Sequence, residues 1–373
     1  MNNLVIVCQS AGFLMADIAN EALRKYDDVV LLTSGCKSME RPLSSSVKID
    51  YIAQYDRSST GKRVLSWLKA TFQVLHKILW HYRNYEVYYF SNPPTSYFCT
   101  LLLRNKFRIA IWDLYPDGLM TINISDKSVV SRIWAWCDRK AFNKAERVVT
   151  IAESMKQQMT KYCPAEHIAI APLWSGSSQF RPMEKEENTF VKENGLEGKF
   201  IVLYSGNIGW SHDVDVLVEV ANVLKDVNDI VFLIIGDGKK KNIIAQMIND
   251  YGLTNVMMLP FQPVEKLPYS LASADLGVVT LDEKVARVAI PSKTFNLMAV
   301  GAPILAIANK ETEMYRMLTR YGNGCCIPKQ KIEGIASFIC KLKDDKELLL
   351  QYRNNSLRAM DNHTYKNAEI YFK

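Results

Sequence analysis

The chain has 373 residues, 48% of them hydrophobic and 23% charged, which is ordinary for a globular protein and too long for a single hydrophobic core. No apolar run approaches the roughly 20 residues that span a bilayer, so we expect no membrane-spanning segment. The net charge of +7 lies in the first half: residues 1–182 carry 23 Lys and Arg against 15 Asp and Glu, whereas residues 183–373 carry 23 against 24. This asymmetry favours an anionic partner for the first half, either nucleic acid, anionic lipid or a phosphorylated substrate.

The N-terminal residues MNNLVIV have no basic n-region, so we expect no secretory signal and a cytoplasmic protein. Eight cysteines show no Cys-x-x-Cys pair, and five histidines show no His-x3-His spacing. We therefore expect reduced cysteines and no tightly bound metal. No nucleic-acid-binding module is recognised, so we expect no nucleic acid partner.

Short β-rich runs alternate with helical patterns along the whole chain. In the first half they lie at residues 4–7, 29–33, 47–52, 86–90, 108–112, 147–151 and 167–170. In the second half they lie at residues 200–204, 230–235, 256–259, 276–280, 304–307 and 325–327. This alternation predicts an α/β protein with two doubly wound, Rossmann-like domains, each built on a parallel sheet. Ligands of such sheets bind beyond the carboxyl ends of the strands, so two facing domains would enclose a cleft.

The domain boundaries follow from a break in this alternation. The acidic stretch RPMEKEENTFVKENGLEGK interrupts it, so we predict an N-terminal domain at 1–182, a linker at 183–199 and a C-terminal domain at 200–350. Residues 351–373 are helical in pattern and carry Tyr365, Tyr371 and Phe372. We expect this tail to dock on the N-terminal domain.

A basic, aromatic segment precedes the fourth strand. Residues 64–85, VLSWLKATFQVLHKILWHYRNY, are typical of an amphipathic helix at a membrane surface. A helix packed on the core with a solvated basic face is the alternative. The predicted membrane contacts are Trp67, Lys69, Lys77, Trp80 and Arg83.

The stretch YSGNIGWSHDVDVL, residues 204–217, lies between a strand and a helical pattern. Gly206 and Gly209 would let backbone amides and the helix N-terminus face a phosphate, although a purely structural glycine turn explains the spacing equally well. We interpret Asp213 and Asp215 as residues that complement the helix dipole rather than as metal ligands. The stretch contains no Lys or Arg.

Several segments together resemble a known family. YSGNIGWSHDVDVLVEVA, FLIIGDGKKK, LPFQPVEKLPYSLASADLGVVTL and IPSKTFNLMAVGAPILAIA occur in the order and spacing found in family 4 glycosyltransferases of the GT-B fold. IWDLYPDG, AERVVTIAESMKQQM and IAPLWSGSSQFRP resemble the bacterial branch that builds surface polysaccharides such as O-antigen and capsule. The likeness covers about residues 4–340.

The resemblance implies a retaining transferase that needs no metal or cofactor and moves a hexosyl or N-acetylhexosaminyl group. The donor would be a nucleotide sugar, a UDP-sugar by expectation, held by the C-terminal domain. The acceptor would be lipid-linked or an oligosaccharide, held by the N-terminal domain, and the protein would lie on the anionic inner face of the cell membrane. Two alternatives stay open: a GT-B-fold sugar-nucleotide epimerase, and a non-catalytic GT-B subunit that regulates a partner transferase.

The resemblance also assigns residues to the two substrates. Donor binding falls to Gly206, Asn207, Gly209, Gly236, Phe261, Ser292 and Asn296. The acceptor side falls to Ser10, Gly12 and Asp117, with Asp113 placed after a strand where its carboxylate could accept the proton of the acceptor or orient it. A turn-capping role for Asp113 beside Pro116 is equally compatible with the sequence.

Two departures from the family pattern affect the donor site. Many members have two glutamates with seven residues between them, where this chain has Val288 and Asn296, and many have an arginine and a lysine beside the glycine loop. Because a leaving diphosphate gains negative charge, some cation should be near. We predict that Arg287 or, with preference, Lys293 supplies it. The alternative is that the stem of Lys293 merely covers apolar surface.

Overall fold

The structure is a computed structural model that describes residues 2–38, 40–56, 58–117, 125, 127–210, 212–280 and 290–373. The chain forms two compact units, one of Met1–Gly176 with Tyr365–Lys373 and one of Ser177–Thr364. Within the described ranges, no helix is both long and apolar enough to traverse a bilayer.

The first unit is built on seven parallel strands in the order β3-β2-β1-β4-β5-β6-β7. They are β1 Asn3–Val7, β2 Asp28–Thr33, β3 Val47–Tyr51, β4 Glu86–Phe90, β5 Phe107–Ile111, β6 Val148–Thr150 and β7 Ile168–Ile170. Each coincides with a predicted strand to within one residue at either end, which confirms the parallel-sheet prediction for this half. The strand order reverses between β1 and β4, and such a reversal opens a crevice at the carboxyl ends of the strands.

Helices cover both faces of this sheet. They are α1 Phe13–Ala22, α2 Thr60–Trp80, α3 Val129–Lys144 and α4 Glu153–Met159, with 3-10 helices at Ser96–Leu101, Ala165–His167 and Tyr365–Phe372. The connections through α1 and α2 run in opposite directions along the sheet, so right-handed crossovers put these helices on opposite faces. The 3-10 helix Ser96–Leu101 contacts both α2 and α3, whereas Tyr365–Phe372 contacts α1.

The C-terminal residues complete the core of the first unit. Tyr371 is buried, its ring lies 5.8 Å from that of Phe90, and its hydroxyl accepts a hydrogen bond from Trp112 Nε1 at 2.9 Å. Lys25 Nζ donates to the carbonyl of Phe372 at 2.5 Å. The predicted tail therefore divides, because its earlier helical part belongs to the second unit.

The second unit has six parallel strands in the order β10-β9-β8-β11-β12-β13. They are β8 Phe200–Ser205, β9 Ile230–Ile235, β10 Val256–Leu259, β11 Leu276–Thr280, β12 Ile304–Ile307 and β13 Gly324–Ile327, again matching the predicted strands to within one residue. The helices are α5 Thr189–Glu193, α6 Asp215–Val223, α7 Lys241–Asp250, α8 Leu267–Ala272, α9 Lys293–Ala299, α10 Glu313–Tyr321, α11 Ile332–Asp344 and α12 Lys346–Ala359, with 3-10 helices at Val264–Lys266 and Met360–Asn362. The crevice of this sheet lies between β8 and β11.

The stretch predicted as a linker is part of the second unit. Asn188 caps α5 by accepting from the amide of Phe190 at 3.0 Å, and its side-chain amide donates to the carbonyl of Tyr269 at 2.8 Å. Phe190 and Val191 are buried. This helix is short and its neighbours in the sequence are acidic, so the sequence pattern did not indicate it. The two units divide between Gly176 and Ser177 rather than at residue 182.

Glycines let the loops after β8 and β9 interlock. A Cβ at Gly236, whose φ is +156°, would lie 1.9 Å from the carbonyl oxygen of Gly206, and one at Gly238 would lie 2.4 Å from that of Ile208. Ile208 donates its amide to Asp237 at 2.8 Å and accepts from the amide of Lys240 at 2.9 Å. Side chains at these two glycines would push the loops apart.

We predict that Gly236→Ala lowers the free energy of unfolding by about 2 to 3 kcal/mol, because its methyl group would overlap the backbone of the neighbouring loop. Gly252→Ala is the matched control. Its φ is +61° but nothing lies within 4 Å of its Cβ position, so only the backbone conformation should cost about 1 kcal/mol. Chemical denaturation measures both, and equal losses would contradict the interlocked arrangement.

Candidate active site

The glycine loop after β8 is held by bonds to its neighbours. The amide of Gly206 donates to the carbonyl of Ile235 at 2.9 Å, and the hydroxyl of Tyr204 donates to the carbonyl of Asn207 at 2.7 Å. Asn207 is exposed, and its Nδ2 would lie 2.6 Å from a Cβ at Gly209. Because the amide of Gly206 already donates to Ile235, it is not free to donate to a phosphate. What Gly206 contributes to the site is the space left by its missing side chain.

The amine of Lys293 occupies that space. Lys293 is the first residue of α9, and its Nζ would lie 3.0 Å from a Cβ at Gly206. The Nζ is closed off from solvent, has no hydrogen-bond partner among the described residues, and lies 3.8 Å from the ring centroid of Tyr204. Burial lowers the pKa of this amine to about 7. The site therefore holds a buried amine that has no hydrogen-bond partner among the described residues, directly beneath the glycine loop.

Two titratable groups close to Lys293, His212 and Tyr204, stay uncharged near neutral pH. Burial, followed by the nearby positive charges of Lys293 and Lys240, lowers the pKa of His212 to about 4. Burial raises the pKa of the Tyr204 hydroxyl above its usual value. Of these three groups, Lys293 is therefore the one whose charge changes between pH 6 and pH 8.

Two further lysines lie beside the loop, and sequence reasoning missed both. Lys240 is buried, pairs with Asp215 and donates to the carbonyl of His212 at 3.3 Å. Lys329, in the loop after β13, lies 3.3 Å from Asp213. The sequence did contain a signal for Lys240, because this residue belongs to the GDGKKK segment that directly follows β9.

Asp213 and Asp215, the Asp-x-Asp pair at the start of α6, thus each form an ion pair with a lysine from another loop, Lys329 and Lys240 respectively. Asp215 is also the first residue of that helix, which agrees with the helix-dipole interpretation. Within the described ranges, no three His, Cys, Asp or Glu side chains are arranged to hold a metal ion.

The remaining predicted donor residues lie at the carboxyl edge of the same sheet. Phe261 follows β10 and is 56% exposed. Ser292 is exposed just before α9, and Asn296 is half-buried within it. Arg287 and Val288 lie outside the described residues.

The predicted acceptor residues gather at the carboxyl edge of the first sheet, with one exception. Ser10 and Gly12 follow β1 and Asp113 follows β5, and all three are exposed. The amide of Asp113 donates to the hydroxyl of Ser91 at 3.1 Å. Asp117 instead accepts hydrogen bonds from Lys161 Nζ at 2.5 Å and from the hydroxyl of Tyr162 at 3.1 Å. Both of its oxygens therefore serve the fold.

The membrane-contact prediction for α2 was partly wrong. Trp67 is only 3% exposed, because it faces the interior and stacks on Tyr55 with ring centroids 6.3 Å apart. Lys77 Nζ pairs with Asp50 at 2.5 Å. The other three residues predicted to make contact are exposed, namely Lys69, Trp80 and Arg83.

Comparisons with known proteins agree with this architecture. Residues 185–358 match the family model "Glycosyl transferases group 1". The chain is 27% identical over 237 residues to WcaI, a glycosyl transferase named for colanic acid biosynthesis in Escherichia coli (strain K12), and this match covers 61% of the chain and 58% of WcaI. It is 23% identical over 344 residues to the glycosyltransferase WbjE of Pseudomonas aeruginosa, covering 88% and 85% of the two chains. The crystal structure of HepE from Anabaena in complex with UDP superimposes with a TM-score of 0.73 at 13% identity, covering 99% of this chain and 98% of HepE.

The two parallel-sheet units and the likeness to HepE define the GT-B fold. The matched segment contains the glycine loop and Lys293. That segment, residues 185–358, is similar to the group 1 glycosyltransferases.

We predict that Lys293→Met raises the free energy of unfolding of the unliganded protein by about 1 to 3 kcal/mol, because a thioether removes the cost of burying an unpartnered amine. Lys192→Met is the control. Lys192 is exposed on α5, so its replacement should change stability by less than about 0.5 kcal/mol. Chemical denaturation at pH 6 measures both, and a destabilised Lys293→Met would mean that the amine has a stabilising partner.

Proposed function

We propose that this protein transfers a sugar from a UDP-sugar to a lipid-linked or oligosaccharide acceptor during synthesis of a bacterial surface polysaccharide, such as O-antigen or capsule. The enclosed Nζ of Lys293 beneath the glycine loop carries the proposal. HepE has been crystallised with UDP and with UDP-glucose, and WcaI is named for the synthesis of a surface polysaccharide, colanic acid. These relatives support a nucleotide-sugar donor and an envelope polysaccharide as the product.

In this proposal the donor diphosphate lies on the glycine loop. As the bond between the sugar and the diphosphate breaks, negative charge grows on the leaving phosphate, and Lys293 Nζ stabilises it by a charge-assisted hydrogen bond. An amine enclosed away from water interacts with this charge more strongly than an exposed one would. Lys293 thus replaces the cations that many family members carry beside the loop.

The rest of the donor would be held along the same edge of the sheet. The loop at Phe261 would meet the base, and Ser292 and Asn296 would meet the ribose and the phosphates. Asn296 offers a neutral amide where many relatives have a glutamate, so its hydrogen bond to a ribose hydroxyl would be weaker than that of a carboxylate.

The lysines also bear on whether a metal is needed. Asp213 and Asp215 are already paired with Lys329 and Lys240, and Lys293 can neutralise the diphosphate without a bridging cation. We propose that transfer is metal-independent and retains the anomeric configuration. The leaving phosphate would then take the proton of the acceptor hydroxyl, and Asp113 would orient that hydroxyl.

Calorimetric titration of UDP, GDP and their sugars in the presence of EDTA tests the proposal. We expect saturable binding of a UDP-sugar. We also expect a slow cleavage of that donor, measured as UDP set free over time, and Lys293→Met should lower the rate of this cleavage by about a hundredfold to a thousandfold. Lys192→Met should release UDP at the native rate. NMR of the transferred sugar would report the retained configuration.

Three outcomes would contradict the proposal. Failure to bind any nucleotide would favour a non-catalytic subunit. A new sugar nucleotide formed without an acceptor would favour an epimerase. Near-normal release by Lys293→Met would remove the proposed role of the amine.

A further inference from the structure

The second unit contains buried polar side chains that lack a hydrogen-bond partner, and they fall into two kinds. In the part of this unit that the structure describes, they are Asn255, Asn323, Thr280 and Lys293. The two asparagines leave an oxygen without a partner, but their Nδ2 atoms donate to other groups, and both residues lie at the amino edge of the sheet. Thr280 and Lys293 have one polar side-chain atom each, and that atom has no partner. Buried groups of this kind are rare and call for an explanation.

Thr280 lies beside the crevice of the second sheet. It is the last residue of β11, and its side chain is completely buried. The pairing between β11 and β8 ends where Gly277 lies beside Leu203, so the two strands part beyond this point. Three residues further along the two strands lie Thr280 and Gly206, and the amine of Lys293 lies against Gly206. The two unpartnered groups are therefore at the same level of the crevice, one beside each strand.

The pairing of β11 with β12 shows which face of the sheet the Thr280 hydroxyl occupies. Thr280 lies beside Ile307, and paired residues of neighbouring strands point to the same face. Ile307 and Tyr204 belong to one core cluster, and the ring of Tyr204 lies 3.8 Å from Lys293 Nζ. The hydroxyl and the amine therefore share one face of the sheet, although neither bonds to the other.

The chemistry of these two groups indicates what would satisfy them. A protonated amine only donates hydrogen bonds, and a hydroxyl can also donate one. The acceptor that suits both is an oxygen that carries negative charge, because hydrogen bonds to charged groups are the stronger ones. Phosphate offers several such oxygens around one phosphorus atom, so one diphosphate can serve both donors.

We propose that Thr280 donates its hydroxyl to the diphosphate that Lys293 neutralises, which makes it a second buried residue of this unit in contact with the leaving group. The inference rests on the proposed function, because a nucleotide-sugar donor supplies the accepting oxygen. Sequence reasoning did not assign Thr280, because the residue belongs to the apolar run of β11.

Calorimetric titration of UDP in the presence of EDTA tests this contact. T280V keeps the shape of the side chain and removes the hydroxyl, so it should bind UDP about tenfold to hundredfold more weakly than the native protein. T280S keeps the hydroxyl and should stay within about threefold of the native affinity.

T150V is the matched control. Thr150 is an equally buried threonine at the end of a strand, β6, but its hydroxyl donates to the carbonyl of Ile111 at 3.1 Å. Because Thr150 belongs to the first unit and its hydroxyl is already bonded, T150V should bind UDP with the native affinity.

Thermal unfolding of the unliganded variants gives an independent readout. T280V should raise Tm by about 2 °C, because it removes a buried hydroxyl that has no partner among the described residues. T150V should lower Tm by about the same amount, because it leaves the carbonyl of Ile111 without its donor. A purely structural role for Thr280 predicts the opposite pattern for T280V, a lower Tm together with an unchanged affinity for UDP.

Two results would overturn the inference. Equal affinity of T280V and the native protein for UDP would place the hydroxyl outside the donor site. A lower Tm of unliganded T280V would show that an ordered water or another group already satisfies the hydroxyl. Both results leave the proposed function standing if the native protein binds UDP, whereas a native protein that binds no UDP would contradict the proposed function and the inference together.

Discussion

The proposed donor site of the second unit depends on one buried amine. Lys293 Nζ is enclosed between the ring of Tyr204 and the backbone of Gly206, without a hydrogen-bond partner among the described residues. Leaving an amine in this state is costly for the unliganded protein. A negatively charged ligand would give the amine a partner and remove the cost of burying it. A group that destabilises the unliganded protein in this way therefore indicates a binding site. Protonation and anion binding at this lysine should therefore favour each other.

The rest of the second unit keeps that amine in place. Gly236 and Gly238 let the loops after β8 and β9 interlock, and Gly206 leaves the room into which the amine reaches. Lys240 and Lys329 are fixed by Asp215 and Asp213, so they add positive potential near the loop while their own charges are paired. Of these three lysines, Lys293 has no partner among the described residues, so its charge can respond to a ligand.

The sequence was sufficient for the sheets but not for every side chain. The alternation of short β-rich runs with helical patterns predicted the ends of all the described strands to within one residue. This was possible because buried parallel strands are short apolar runs between helices. The linker prediction failed because α5 hides Phe190 and Val191 among acidic residues. The prediction put Trp67 at the membrane because the helical pattern of apolar residues in α2 does not indicate which of them pack against the sheet and which face outward. Lys240 was missed because its partner, Asp215, is the first residue of a different helix, α6, and no local pattern joins the two.

The most direct test of the central claim is the pKa of Lys293 with and without UDP. NMR of isotope-labelled lysine side chains can measure it, with Lys293→Arg used to assign the signal. The unliganded pKa should lie near 7, and UDP should raise it by at least about two units, because the diphosphate stabilises the charged amine. A pKa that stays the same when UDP binds would show that the diphosphate lies elsewhere and would contradict the proposed donor site.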